Sequence, residues 1–199
     1  MTPGIDPLEL PLFPLQTVLF PGGVLPLKIF EPRYMDMAGE CLKRETPFGI
    51  CLISEGTEVG APAVPHLMGT TARILTWDMP QTGILLVTVR GERRFRILGC
   101  QAGKNGLIRG RVAVLPSKAI EAVPEGAAAL VPLLKVIAAD LGPERLPEPH
   151  HFDDADWVGM RLAEILPIQM LARQKLLELE SPLDRLEIIQ RFLEQKRLL

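Results

Sequence analysis

Leu10-Pro11-Leu12-Phe13-Pro14-Leu15, then Val18-Leu19-Phe20-Pro21-Gly22-Gly23, then Leu25-Pro26-Leu27-Lys28-Ile29-Phe30-Glu31-Pro32-Arg33-Tyr34, form an apolar block punctuated by proline. Proline fixes φ and removes a backbone donor, so residues at 11, 14, 21 and 26 forbid a helix and sit awkwardly in central, fully hydrogen-bonded strands. The block therefore reads as short strands, Leu8 to Leu15, Val18 to Phe20 and Val24 to Phe30, placed at edges, bulges or corners. Pro21-Gly22-Gly23 supplies the turn before the last of them.

Working outward, Met35, Ala38, Cys41 and Leu42 recur at the spacing of one helical face, so a short helix is expected over Tyr34 to Arg44, bounded by Pro47. Strand candidates then follow at Phe48 to Ile53, Thr70 to Trp77, Ile84 to Val89, Arg93 to Leu98 and Leu107 to Leu115. Each is bounded by Gly, Pro or Asp, and their non-local pairing favours a small closed or half-closed sheet.

Beyond Pro116 the helical period takes over. Leu130, Leu133, Leu134, Ile137 and Leu141 share a face that ends at Gly142-Pro143, with Pro132 either in the first turn or at a kink. A connector rich in Pro and acid, Glu144 to Asp156, leads to a helix near Trp157 to Leu166 and a further one over Ile168 to Glu180. Ser181-Pro182-Leu183-Asp184 carries a cap, a first-turn proline and an acid for the last helix. The expected fold class is α+β: a barrel-like, mostly antiparallel β-sheet with one short helix over residues 1–116, followed by a helical bundle over 117–199.

Composition narrows the function. The 199 residues are 47% hydrophobic and 23% charged, a globular balance with no apolar run near the roughly 20 residues of a membrane span. Met1 to Asp6 lacks the basic start and apolar core of a secretory signal, so a cytoplasmic protein is expected. The net charge of -2 gives no electrostatic reason for nucleic acid or anionic membrane as main partner. Cys41, Cys51 and Cys100 have no C-x-x-C pairing and read as buried free thiols.

Catalytic patterns are scarce. Ser54 reads as a turn residue and Ser181 as a cap, while Ser117 beside Lys118 lacks any source of an oxyanion hole. Gly99 to Gly106 is one residue too short for a phosphate loop and has Asn105 where a hydroxyl belongs, so it reads as a hairpin. His150-His151-Phe152-Asp153-Asp154-Ala155-Asp156 offers metal donors, but adjacent residues seldom converge on one ion, and acids at a helix start suit its dipole. No metal, cofactor or catalytic residue is expected. Among Arg90, Arg93, Arg94 and Arg96, a strand places Arg94 and Arg96 on one face and Phe95 and Ile97 on the other, which suits a half-buried strand.

The opening block closely resembles the N-terminal domain of Lon-type ATP-dependent proteases. Phe48-Gly49-Ile50, Glu58-Val59-Gly60, Gly69 to Ile74, Val89 to Ile97 with Gly91 and Arg94, Lys175 to Glu178 and Asp184-Arg185-Leu186 continue the likeness in the family's order. Arg90 stands where an acidic residue is expected. The resemblance implies a six-stranded, PUA-like barrel with a helical bundle, serving substrate recognition and assembly without the ATPase and peptidase modules, as related domains do in a ubiquitin ligase context. The expectation is a non-catalytic module that binds polypeptide substrates or a protease partner, possible adaptor work included. RNA binding through the barrel and the arginines is the alternative, opposed by near-neutral charge and few aromatics. Arg33, Tyr34, Arg94 and Arg96 are the candidate binding surface. An internal salt bridge and a tyrosine packed at a strand-to-helix corner are the competing account of Glu31, Arg33 and Tyr34.

Overall fold

The computed structural model describes residues 7–198, so the reading of Met1 to Asp6 lies outside the described residues. The chain divides into two compact units at Pro116 and Ser117. The class is α+β, with a six-stranded, mostly antiparallel sheet and a helical part that is mostly C-terminal.

The first unit runs β1 (Leu8–Leu15), β2 (Val24–Ile29), α1 (Pro32–Arg44), β3 (Phe48–Glu55), β4 (Val64–Gln81), β5 (Ile84–Ala102) and β6 (Ile108–Val114). Strand order is β2-β5-β4-β3-β1-β6, and a further β5–β6 pairing closes five strands into a ring with β2 outside it. β1 and β3 are parallel, and the other pairings are antiparallel.

β1 corrects the expectation that its prolines belong at an edge, because it has a neighbour on each side. Its first half pairs with β6 from Leu8 to Leu12 and its second half with β3 from Leu12 to Leu15, so the ladders overlap only at Leu12. Pro11 lies opposite β6 alone and Pro14 opposite β3 alone, so neither proline serves two ladders at once. The strand is buried on both faces: Leu10 and Leu12 enter one core cluster with Phe95, Ile97 and Val112, while Phe13 and Leu15 enter the other with Tyr34, Met37 and Phe48. That is why it reads as a continuous apolar run without alternation.

Val18 to Phe20 is buried irregular chain and forms no strand. It leads into the Pro21-Gly22-Gly23 turn, which docks onto Gly91 of β5: Gly22 N–H donates to Gly91 O at 2.7 Å and Gly91 N–H to Gly23 O at 2.9 Å. A Cβ at Gly91 would stand 2.3 Å from Phe20 O, so only glycine lets the two backbones meet. β5 therefore continues through Gly91 as one 19-residue strand in place of the two expected.

α1 starts earlier than expected, at Pro32, whose fixed φ suits a first turn. Its buried stripe is Arg33, Tyr34, Met37, Ala38 and Cys41, while Met35 and Leu42 are only half-buried. Ser54 lies within β3, and Gly103 to Leu107 forms the β5–β6 hairpin, closed by Gly103 N–H to Leu107 O at 2.8 Å. Cys41 and Cys51 are buried free thiols, but Cys100 is exposed.

The second unit holds α2 (Leu130–Leu141), α3 (Ala155–Ile165), α4 (Met170–Glu178) and α5 (Pro182–Gln195), with α3 packed against the other three. Pro132 sits in the first turn of α2, and Gly142 ends that helix at φ 72°. Asp154 caps α3 by accepting from Asp156 N–H, and Ser181 caps α5 by accepting from Asp184 N–H. At the centre Arg185 is fully buried: Nη1 donates to Asp156 Oδ1 at 2.6 Å, Nε to Leu176 O at 2.9 Å and Nη2 to Leu179 O at 2.7 Å. A cation thus sits on the last carbonyls of α4, where the helix dipole favours it.

Candidate functional site: an open strand edge beside an apolar cavity

Among the described residues β2 is the one strand of the sheet order with a single partner, since it pairs with β5 from Val24 to Ile29 and with no strand on its other side. Its pleat alternates, with Pro26 and Lys28 exposed while Leu25 and Leu27 pack against the core cluster from partly buried positions. Those leucines stay half-covered because no further strand lies beyond them.

Beside this edge is a cavity of about 270 Å³. Phe13 and Leu15 of β1, Leu25 and Leu27 of β2 and Tyr34 of α1 line it, with Phe30, Glu31, Glu58 and Val59 at its margin. Phe30 and Val59 are 50% and 54% exposed, so the mouth presents apolar carbon to solvent. The loop between β3 and β4 builds one wall and is anchored where Gln16 N–H donates to Glu58 Oε1. The volume falls short of the ~300–1,000 Å³ that small-molecule sites occupy, and it suits side chains of a chain lying along β2.

Tyr34 stacks on Phe13 with ring centroids 4.1 Å apart, and the Arg33 guanidinium lies 4.7 Å from the Tyr34 ring centroid. Arg33 also pairs with Glu31 at 2.8 Å and donates to Gly106 O at 3.2 Å. Burial raises the Tyr34 phenol above its ordinary value; Arg33 opposes the rise, and Glu31 and Glu58 add to it. Arg33 and Tyr34 are therefore framework at the base of the site, with 7% and 3% exposure, as the internal account of these residues requires.

The other two candidates do not join them. Arg94 is buried opposite Thr70, while Arg96 is exposed opposite Met68 and Ala113. The ladder runs unshifted from Arg94 to Arg96, the register shift between Thr70 and Ala72 lying before Arg94, so the two arginines keep alternate positions on the strand and differ in burial.

On the outer face of the β2–β5–β4 ribbon a second, shallower groove of about 480 Å³ runs past Pro26, Lys28, Asp78, Leu86 and Thr88. Leu75, Trp77 and Met79 on the outer half of β4 are also exposed, Trp77 by 60%. β3 stops pairing with β4 at Ala72, so this half of β4 is held by β5 alone. Sequence reasoning missed Glu58, Val59 and Trp77 as surface, since a strand residue such as Trp77 is exposed only where its neighbour ends, and the place of the Glu58 loop depends on its contact with Gln16.

The histidines of the second unit have structural partners. His150 Nε2 lies 3.0 Å from Leu146 O, and His150, His151 and Phe152 gather around Trp157. Among the described residues no cluster of His, Cys, Asp or Glu is arranged to hold a metal ion, and no helix is long and apolar enough to cross a membrane.

Comparison with known proteins matches this fold. Residues 9–195 fit the family model of the ATP-dependent protease La (Lon) substrate-binding domain. A Lon N-terminal domain protein from Xanthomonas campestris, known from a crystal structure, is 34% identical, with 92% of this chain and 98% of that one covered and a TM-score of 0.78. The N-terminal domain of a Mycobacterium avium complex Lon protease shares the fold at 19% identity, covering 91% and 95% of the two chains with a TM-score of 0.60. Cereblon from Xenopus tropicalis is 30% identical over 116 residues, which are 56% of this chain and 25% of that protein. The Lon protease of Methylocella silvestris is 33% identical over 81 residues, 40% of this chain and 10% of the enzyme. The chain thus spans a quarter or less of these last two relatives. It belongs to the Lon substrate-binding domain family.

Proposed function

We propose that this protein is a non-catalytic recognition module of the cytoplasm that holds extended segments of unfolded or degradation-prone polypeptides along β2, acting as an adaptor or competitor for a protease. One observation carries the reading: the unpaired edge of β2 runs beside an apolar cavity with Phe30 and Val59 exposed at its mouth. Backbone groups on a free edge bind any extended chain, and an adjacent pocket for alternate side chains adds preference for apolar residues. A folded client has its backbone donors paired and its apolar side chains buried, so it offers neither feature.

The test is a binding titration of the chain against a reduced and alkylated, permanently unfolded protein and against the same protein in its native form. Binding to the unfolded form alone, weakened by Phe30→Ser at the cavity mouth, is the expected result. Equal affinity for both forms, or indifference to Phe30→Ser, would remove the basis for the proposal.

A further inference from the structure

The cavity beside β2 carries at its mouth a carboxylate that the recognition of apolar chain does not require. Four charged groups bear on it. Glu31 is neutralised by Arg33, which is itself buried. Lys28 also borders the cavity, but along the strand it alternates with Leu25 and Leu27 and shares the exposed positions with Pro26, and its neighbours across the ribbon are Leu86 and Asp78. Glu58 is exposed at the mouth, and among the described residues no cation forms an ion pair with it. Its carboxylate is held in place because Oε1 accepts the Gln16 N–H while the loop carries Val59 beside it.

A fixed, unpaired carboxylate at the lip of an apolar cavity complements a cation that follows an apolar group. In an extended chain residues i and i+2 point to the same side. We propose that the β2 groove selects extended segments whose cavity-filling apolar residue is accompanied, two positions away, by lysine or arginine, with Glu58 reading the positive charge. This rests on the reading of the groove as a polypeptide site and adds to it a preference that apolar burial alone cannot generate. Charge at the rim of an interface discriminates between partners more than it adds affinity.

The experiment uses the whole chain and two fluorescein-labelled peptides of alternating threonine with a central leucine. They differ only in carrying lysine or glutamate two positions either side of that leucine. Fluorescence anisotropy should show the lysine peptide binding about threefold or more tighter than the glutamate peptide, the scale of an exposed ion pair. The ratio should shrink toward one in 0.5 M salt, where the screening length falls to roughly 4 Å. Glu58→Gln keeps a side-chain oxygen for Gln16 and removes the charge, so it should bring the ratio of the two peptides to about one, whatever their common affinity becomes.

Two peptides that bind equally, both weakened by Phe30→Ser, would overturn the charge preference and leave polypeptide recognition standing. If neither peptide binds, the recognition reading fails and the preference falls with it. A concentration-dependent dimer broken by Phe30→Ser would assign the groove to a second copy of the chain and overturn the proposal.

Discussion

Replacing Arg185 by methionine should cost the helical unit about 3 kcal/mol, and the estimate follows from three contacts. The stem of Arg185 lies over Gly159, where a Cβ would stand 3.1 Å from Arg185 Cδ, and methionine keeps most of that packing. The guanidinium is what disappears. Leu176 O and Leu179 O, at the end of α4, lose donors at 2.9 and 2.7 Å, at about 1–2 kcal/mol for the buried Leu176 bond and about 1 kcal/mol for the part-buried Leu179 bond. Asp156 loses its partner at 2.6 Å, but its side chain is 27% exposed and regains water, so its share is discounted to under about 1 kcal/mol. Replacing a buried ion pair by apolar groups is often neutral when both partners are replaced; here two acceptors are backbone and cannot be removed. The chain has two tryptophans, Trp77 in the barrel unit and Trp157 in α3, so a Trp77→Phe background leaves Trp157 as the reporter of the helical unit. Denaturant titrations followed by Trp157 emission should show the loss, with a melting point lower by roughly 15 °C for a domain of this size. A loss below about 1 kcal/mol would refute the claim that Arg185 holds α3, α4 and α5 together.

Gly91→Ala should destabilise the barrel unit by about 2–3 kcal/mol, because the new Cβ forces β5 away from Phe20. Amide exchange would accelerate at Gly22, Gly91 and along β2, and unchanged protection there would contradict the account of that junction. Burial raises the Glu164 carboxyl above its ordinary value, with Arg161 and Arg173 pulling the other way. The folded chain then holds that proton more tightly than the unfolded one, so this contribution to stability is complete below the reference value of 4.5 and fades as pH rises through the folded value. Urea midpoints measured across pH 4–8 should show that decline flattened in Glu164→Gln, and the same slope in both proteins would exclude Glu164 as its source. Thiol titration of the native chain should modify Cys100 at once, while Cys41 and Cys51 wait for denaturation, because they are buried and burial raises both thiols. Rapid reaction of either buried cysteine would show that the barrel opens locally.

What the sequence discloses and what it hides divide along a physical line. Local chemistry is legible: acids at the start of α3, Ser181 as the cap of α5 and Gly142 at the end of α2 all follow from side-chain and backbone preferences. Pairing over long distances is not. Pro11 and Pro14 argue for an edge, yet β1 is central because its two ladders meet only at Leu12. Gly91 reads as a break between strands, although its lack of a Cβ serves a contact with Phe20 far away in sequence. For Arg33 and Tyr34 the sequence leaves a surface and an internal account side by side, since the contacts that bury them, Phe13 and the hairpin carbonyl of Gly106, lie far away in the chain.

The same division runs through the opening block itself, of which the proposed function uses only β2 and Phe30 as contact surface. Phe13, Leu15 and Tyr34 form the floor of the cavity, and Pro21 to Gly23 fixes β2 against Gly91, but the groove exists only where β2 ends the sheet and the Glu58 loop is drawn to Gln16. A bare strand edge would also invite indiscriminate pairing, and β2 limits this with Pro26 and Lys28, devices that blunt edges in natural sheets. Pro26 removes one donor, worth about 1 kcal/mol of ladder, so backbone pairing alone holds a passing chain weakly. Under the proposed function, the remaining affinity has to come from a side chain entering the cavity. Weak pairing with selective insertion suits a module that samples chains and keeps only those with exposed apolar residues, and it makes the cavity mouth, not the arginines of β5, the place where specificity is set.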